Sequence, residues 1–453
     1  MKKWYLVLSI LIVIVGFSLR LWRFAERSPF DWDQNRDYQV ISTIASGKIT
    51  LIGPVAKGEG GFFLGPLYYY LATPAFMFLH GNPRALPLTS ITLDMLAVIA
   101  MLALLPKTLG KKQTLLLAAL WSTSWFTIEM SRISWNVALI PLWSVSMLWL
   151  LSGKEKLSPM KVIFLGFMAG LTWHVHAALI PLTPLIILLL WRKLGLNWRA
   201  IPLLLIGYGI PLLPLIFFDL RHAGLERYLI TSMFTASTQV HTAVAPLLTA
   251  MIIRLGKNTE GLLLGISAYN AYLGFATLLA GVLGLFAPRE ISKVAGLFII
   301  INFLAVFGLH EPGFPEYYFA AAYIPTLILG IYFLTVLVRN RYCYTTLAVM
   351  ILIVLNVRKY SFAETSFALS QKEHIASVLF ELKKPVDLHL ELAPGREGGI
   401  LPLYLESGGV VDEKSPVKVL VTDKSEGPLY INGELATVIG NFGGMRLAKV
   451  VVE

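Results

Sequence analysis

Apolar runs alternate with short polar connections from Trp4 to about Val357, and many of the runs approach the roughly 20 residues that a helix needs to cross a bilayer. The pattern predicts spans near 4–22, 66–79, 86–105, 114–130, 136–151, 161–176, 177–191, 200–218, 270–287, 293–309, 320–337 and 344–357. Met1-Lys2-Lys3 and the run behind it mimic a signal peptide. The run ends at Arg20-Leu21-Trp22-Arg23 with no small-residue cleavage site, which predicts an uncleaved anchor. After Val357 the pattern changes to mixed charge, glycine and short alternating stretches. A helix-like 367–384 and strands at Val417–Thr422 and 449–452 predict a small soluble α+β domain. The chain thus divides into a membrane domain, 1–360, and a second domain, 361–453. Two long connections stand out, at 24–65, with a short interfacial helix at 38–45, and at 219–269.

Charge orients this string of spans. Lys107/Lys111/Lys112, Lys154/Lys156/Lys161, Arg192/Lys193/Arg199, Arg289/Lys293 and Arg339/Arg341 fall in connections that the positive-inside rule assigns to the cytoplasm. Working outward, 24–65, 131–136, 174–176, 219–269 and 310–318 then lie outside. Parity forbids 66–79 and 86–105 from both crossing. The former is short and interrupted by Pro74, so it is expected to be re-entrant or tilted, leaving 11 crossings. The N-terminus is expected in the cytoplasm, and the C-terminal domain outside a cell (plasma or inner) membrane.

Composition agrees: 56% of the 453 residues are hydrophobic and 14% charged, with a mean hydropathy of +0.68. A soluble chain carries nearer a quarter charged residues. The fold class is therefore an all-α polytopic membrane protein, with about 11–13 transmembrane helices and a small C-terminal α+β domain. A net charge of +11 would suggest nucleic acid in a soluble chain. Here it is orientation signal, so the expected partners include membrane lipids and exclude nucleic acid. Cys343 is the only cysteine, which rules out an intrachain disulfide and a cysteine-based metal site.

Chemistry concentrates in Phe30-Asp31-Trp32-Asp33-Gln34-Asn35-Arg36-Asp37-Tyr38. Acids at a membrane interface are costly unless solvated or paired, so such a cluster marks a site as readily as a solvated turn. Asp33 and Arg36, at i and i+3, can share one face of a helical turn. Asp33, Asp37 and Asp31 are candidate bases, since an attacking hydroxyl needs a carboxylate to take its proton. His174 and His176 have three readings: buried structural rings, phosphate contacts, or a metal pair lacking a third ligand. Arg132, Arg221 and Arg254 suit phosphate but also the snorkelling common at span ends. Tyr68, Tyr69, Tyr70, Trp121, Trp125 and Trp135 fit an interfacial belt better than a sugar platform. The glycine-rich 58–61 lacks the lysine and the strand–helix context of a phosphate loop.

Asp33-Gln34-Asn35-Arg36-Asp37-Tyr38 resembles the Asp-Glu-x-Arg-Tyr signature of the protein O-mannosyltransferase and aminoarabinose transferase-like family (glycosyltransferase family 39 type). Gly65-Pro66-Leu67-Tyr68-Tyr69-Tyr70-Leu71 is similar to that family's Pro-Pro-Leu-Tyr-Tyr-Trp-Leu segment. Ser131-Arg132 with Asn136, Gly170-Leu171-Thr172, and Glu316-Tyr317-Tyr318 with Pro325 resemble later segments in the same order, over about residues 1–340. The resemblance implies a GT-C fold and transfer of a hexose or pentose from a polyprenyl-phosphate-linked sugar to a protein, lipid or glycan acceptor, with inversion. It implies Asp33 as base, with Asp37 or Asp31 orienting. Arg36 would hold the donor phosphate, helped by His174, His176, Arg132 or Arg221. Tyr68, Asn136, Glu316 and Tyr317 would line the substrate site. Gln34, Leu64-Gly65 and Asn136 depart from the family pattern. The second departure removes an acid that a metal would use, so no metal is expected to be required.

Two rivals stand beside this reading. A transporter or lipid flippase would also have many spans, but should carry key polar groups near the midplane, where Asp94 is the only acid, and no inverted repeat is visible. A glycan polymerase or ligase of the same fold would use a lipid-diphosphate donor.

Overall fold

A computed structural model describes residues 3–56, 61–153, 158–193, 198–237, 243–265, 270–308, 315–339, 341–360, 363–382 and 384–451. Gly58, Gly60, Lys154, Lys156, His241, Tyr269 and His310 lie outside the described residues.

The chain is mostly helical. Five helical stretches among the described residues are long and apolar enough to cross a bilayer: Lys3–Leu21, Ala85–Lys107, Trp198–Arg221, Glu290–Gly308 and Glu316–Leu337. Shorter apolar ones cover Asn136–Ser152, Pro159–Val175, Ala271–Leu285 and Tyr342–Val357. Lys3–Leu21 exposes Leu6, Val7, Leu8, Ile10, Leu11 and Ile14 together. A continuous apolar face of that kind suits hydrocarbon and not water. The chain is a membrane protein.

Arg20 and Asp94, both buried inside the helical bundle, are paired. Arg20 Nε donates to Asp94 Oδ2 at 2.7 Å, and Trp121 Nε1 donates to Asp94 Oδ1 at 3.0 Å. Arg20 Nη1 also donates to the Ser122 carbonyl at 2.9 Å. Asp94 is thus fixed in a hydrogen-bonded pair, three helices meeting on it.

Helices approach closely where side chains are absent. A Cβ on Gly207 would lie 2.0 Å from the Ile163 carbonyl oxygen, and one on Gly166 would lie 2.1 Å from that of Leu204. This locks Pro159–Gly170 against Ile201–Arg221 through backbone contact, the small-residue mode of membrane helix packing. Gly207→Leu is expected to separate this pair, and a heat step in detergent followed by size-exclusion chromatography should show the loss of monodisperse protein at a lower temperature than wild type.

Leu67–Phe78 is a short helix of 12 residues with Pro74 inside it. Near its start Leu67 N–H donates to His174 Nδ1 at 3.3 Å and Tyr69 OH donates to Asp37. Just past its end, Gly81 sits beside Glu406 and Arg84 pairs with Glu373 at 2.7 Å, both acids belonging to the C-terminal region. From Arg84, Ala85–Leu104 runs about 30 Å at 1.5 Å per residue. At its far end Lys107, Lys161 and Arg289, from three of the basic connections, line one cavity of ≈ 550 Å³.

The stretch read from sequence as the loop 219–269 is helical over Leu225–Ser237 and Val244–Leu264. Arg254, Lys257 and Glu260 mask the second helix in a hydropathy reading. Its buried Leu247, Met251, Leu255, Thr259 and Leu262 recur every three or four residues and form one apolar stripe.

Beyond Val357 the helices Leu369–Glu381 and Ile400–Glu406 accompany a five-stranded sheet. Its strands are β1 Asp387–Glu391, β2 Val417–Thr422, β3 Leu429–Ile431, β4 Glu434–Phe442 and β5 Met445–Val451, in the order β1-β2-β5-β4-β3. β1 and β2 are parallel; the other pairings are antiparallel. Side chains alternate between faces. Val417, Val419, Val421, Met445 and Leu447 join the core that includes Ile375, Leu379 and Phe30, whereas Leu420, Leu429, Ile431 and Ala448 form a separate cluster. The sheet unit is tied to the first connection: Leu369 N–H donates to the Ser28 carbonyl at 2.9 Å and Thr365 N–H to that of Glu26 at 3.0 Å.

Candidate active site

The acidic segment folds as the helix Trp32–Ala45, started by Asp31, whose backbone N–H donates to Gln34 Oε1 at 3.0 Å. Gln34 Nε2 donates in turn to the Ser134 carbonyl at 3.0 Å, fixing this helix beside 131–136. Helical spacing then brings Asp33, Arg36 and Asp37 together. Arg36 Nη1 donates to Asp33 Oδ1 at 2.8 Å, and Nε and Nη2 donate to Asp37 Oδ1 at 2.9 and 2.7 Å. A guanidinium has five N–H bonds, so two remain for a ligand. Asp37 is buried and also accepts from Tyr69 OH at 3.0 Å. Burial pushes its carboxyl up to about 6, against the opposing pull of Arg36. Asp33 is 57% exposed, and among the described residues its Oδ2 has no hydrogen bond.

Asp33 and Arg36 open onto a cavity of ≈ 90 Å³, shared with Trp135, Asn136, His176, Tyr317 and Tyr318. One wall is formed by Pro54, Val55, Ala56 and Leu64, where Ala56 N–H donates to the Phe62 carbonyl at 2.8 Å and Leu64 N–H to that of Pro54 at 2.9 Å. Glu226 holds the Phe62–Leu64 side of this wall, accepting from Phe63 N–H at 3.1 Å, and burial raises its carboxyl to about 7. Asn302 Nδ2 and Asn258 Nδ2 donate to the carbonyls of Tyr318 and Glu316, each at 3.0 Å, and so fix the opposite wall.

The cavity is rich in donors. Ala178 N–H donates to His176 Nδ1 at 3.1 Å, which places the ring proton on Nε2. The Trp135 indole N–H is buried with no acceptor among the described residues. With Arg36, these groups suit an oxyanion, and Asp33 is the carboxylate beside them.

Five of the residues expected from sequence thus share one cavity: Asp33, Arg36, Asn136, His176 and Tyr317. Asp37 stands directly behind Arg36. The others do not line the cavity. Asp31 faces Lys372, 4.0 Å away. His174 uses both ring nitrogens structurally, accepting from Leu67 N–H and bonding the Pro211 carbonyl at 2.6 Å, which leaves none for phosphate. Arg132 caps the end of the first helix, donating to the carbonyls of Leu19, Arg20 and Trp22 and pairing with Glu129. Tyr68 is core, its hydroxyl bonded to Ser90 Oγ at 3.0 Å. Glu316 pairs with Lys257 at 2.6 Å beside the cavity. Arg221 is exposed at the end of Ile201–Arg221. The sequence reading assigned Trp135 to an interfacial belt and gave Lys372 no role. Nothing in local spacing distinguishes Trp135 from its belt neighbours.

No protein-family model matches the chain, nor does any curated protein. Solved structures do. The Archaeoglobus fulgidus oligosaccharyltransferase in complex with Zn and sulfate superposes with a TM-score of 0.50 at 15% identity, over 88% of this chain and 61% of that one. Its apo form gives 0.50 at 13%, over 89% and 64%. ArnT from Cupriavidus metallidurans bound to undecaprenyl phosphate gives 0.48 at 10% identity over 99% and 98%. The likeness to the oligosaccharyltransferase shows the architecture: this chain has the GT-C fold of polytopic membrane proteins.

Proposed function

We propose that the protein is a membrane glycosyltransferase that moves a sugar from a polyprenyl-phosphate carrier to an acceptor hydroxyl on the extracytoplasmic side, with inversion. The observation that carries this reading is the pairing of an open carboxylate, Asp33, with a half-buried guanidinium that has N–H bonds to spare, in a donor-lined cavity of a GT-C fold. Asp33 takes the proton of the acceptor hydroxyl as its oxygen attacks the anomeric carbon. The bond to the carrier phosphate breaks, and the charge gathering on that phosphate is met by Arg36, His176 Nε2–H and Trp135 Nε1–H. Stabilising such charge is usually a large part of catalysis. A single displacement inverts the anomeric carbon. The fold's relatives support the donor class: one solved neighbour holds undecaprenyl phosphate and another, the archaeal AglB, holds a dolichol-phosphate and a peptide.

The test is release of polyprenyl phosphate by the purified protein from a panel of polyprenyl-phosphate and polyprenyl-diphosphate sugars. Release from monophosphate donors supports the proposal; release only from diphosphates selects the polymerase or ligase reading, and none from either overturns both.

Asp37 gives this reading a pH signature. Above about 6 its carboxylate is ionised and holds Arg36 by two hydrogen bonds; below that it protonates and Arg36 is left to Asp33. kcat/KM is therefore expected to fall as pH drops through about 6. Stability moves the other way. A carboxyl raised from 3.8 contributes stability that is complete below 3.8 and lost as pH rises through about 6. Asp37→Asn should abolish that stability slope, measured by thermal unfolding between about pH 3.8 and 6, the window this shift spans.

A further inference from the structure

The 363–451 unit does not line the cavity, yet it grips the helix that supplies Asp33 and Arg36. Lys372, on Leu369–Glu381, is fully buried. Its ammonium donates to the carbonyls of Phe30 and Gly398 and lies 4.0 Å from Asp31 Oδ1. Phe30 and Asp31 are the two residues that enter Trp32–Ala45. The turn 395–399 closes on the same helix start from the C-terminal unit. A Cβ on Gly398 would lie 2.8 Å from Asn35 Cβ and 2.9 Å from the Asp31 carbonyl oxygen. At Gly399, where φ is +88°, a Cβ would lie 2.4 Å from the Phe30 ring, so no side chain fits there. Burying an ammonium is costly unless every proton is met. Burial pulls Lys372 down to about 8, against Asp31 and Glu397. A side chain in that position spends its charge on backbone carbonyls of two separate segments and on the helix N-cap.

We infer that Lys372 and the 395–399 turn are a positioning clamp that sets the register of Trp32–Ala45, and through it the placement of Asp33 and Arg36 at the cavity. Lys372 touches neither substrate nor cavity, so it is a positioning residue. The kinetic part of this inference rests on the proposed glycosyl transfer; the structural part does not. A displacement near 1 Å from a site distant from the chemistry lowers a rate about 100-fold.

The test uses the full chain in detergent with two variants, Lys372→Met and Gly398→Ala. Amide hydrogen exchange across 31–38 is expected to rise about tenfold in each while 85–104 stays protected, the mark of a local opening. Carrier release should lose about 30-fold or more in kcat, with the KM for donor within a few-fold, because the phosphate contacts move with the helix and the aligned attack is lost. A variant that merely weakened the whole fold would raise exchange in both segments, and that outcome overturns the clamp. Wild-type exchange at 31–38 in both variants also overturns it. If Lys372→Met does not fold, Gly398→Ala decides alone. If wild type turns over no donor, the proposed function fails and the exchange data still decide the clamp.

Discussion

Asp33→Asn is expected to lower turnover about 10³-fold, within the range that a positioned general base contributes. Asparagine keeps the size and one acceptor oxygen for Arg36 Nη1, but it cannot take the hydroxyl proton. Arg36 stays anchored by Asp37 at 2.9 and 2.7 Å, so its two spare N–H bonds keep their direction and the donor KM should change by only a few-fold. The measurement is single-turnover release of polyprenyl phosphate by wild type and variant at pH above about 7, where Asp37 is ionised. Equal rates would remove Asp33 from the chemistry. Neither neighbouring acid then offers itself readily, since Asp31 faces Lys372 and Asp37 lies behind Arg36. An oxygen of the donor phosphate would have to accept the proton instead.

What the sequence makes legible here is what depends on near neighbours. Asp33 and Arg36 are three residues apart, and helical geometry alone predicts that they meet. The β2 strand at Val417–Thr422 follows from its alternation and β-branched residues. What stays hidden depends on partners far along the chain. His174 reads as a plausible phosphate ligand until Leu67 and Pro211 are found on its two nitrogens. Arg132 reads as an outer arginine until it is found closing the carbonyls of the first helix. Tyr68 and Tyr69 are adjacent, yet helical rotation sends one hydroxyl to Ser90 in the core and the other to Asp37 at the site. The Val244–Leu264 helix escapes a hydropathy reading because its polar face carries three charges within seven residues.

Asp94→Ala carries the largest expected loss of stability, about 3–5 kcal/mol, the usual cost of stranding one partner of a buried ion pair. Arg20 is fully buried, and without Asp94 its guanidinium keeps only carbonyl and hydroxyl partners at Gly16, Trp121, Ser122 and Thr127. Trp121 Nε1–H loses its acceptor as well. The readout is the fraction of protein that stays monodisperse after a graded heat step. The double variant Arg20→Met with Asp94→Leu should recover most of the loss, because replacing both charges with apolar groups leaves nothing unpaired. The pair also separates the enzyme reading from the transporter. A transported proton or ion requires a midplane acid that releases its partner during the cycle, whereas Asp94 is held by two donors from two different helices. Donor-dependent turnover that survives in the double variant would leave the transport reading without its residue.

Ribosomal synthesis runs from the N-terminus, and that gives the long-range tie between Phe30 and Lys372 a consequence in time. The lysine that grips the entry of the acidic helix is made more than three hundred residues after it. While those residues are being made, the protein carries Asp33 and Arg36 without the turn and the ammonium that align them. Activity would switch on only when the terminal sheet closes over the first connection, so that a truncated or stalled copy sits in the membrane as a silent one.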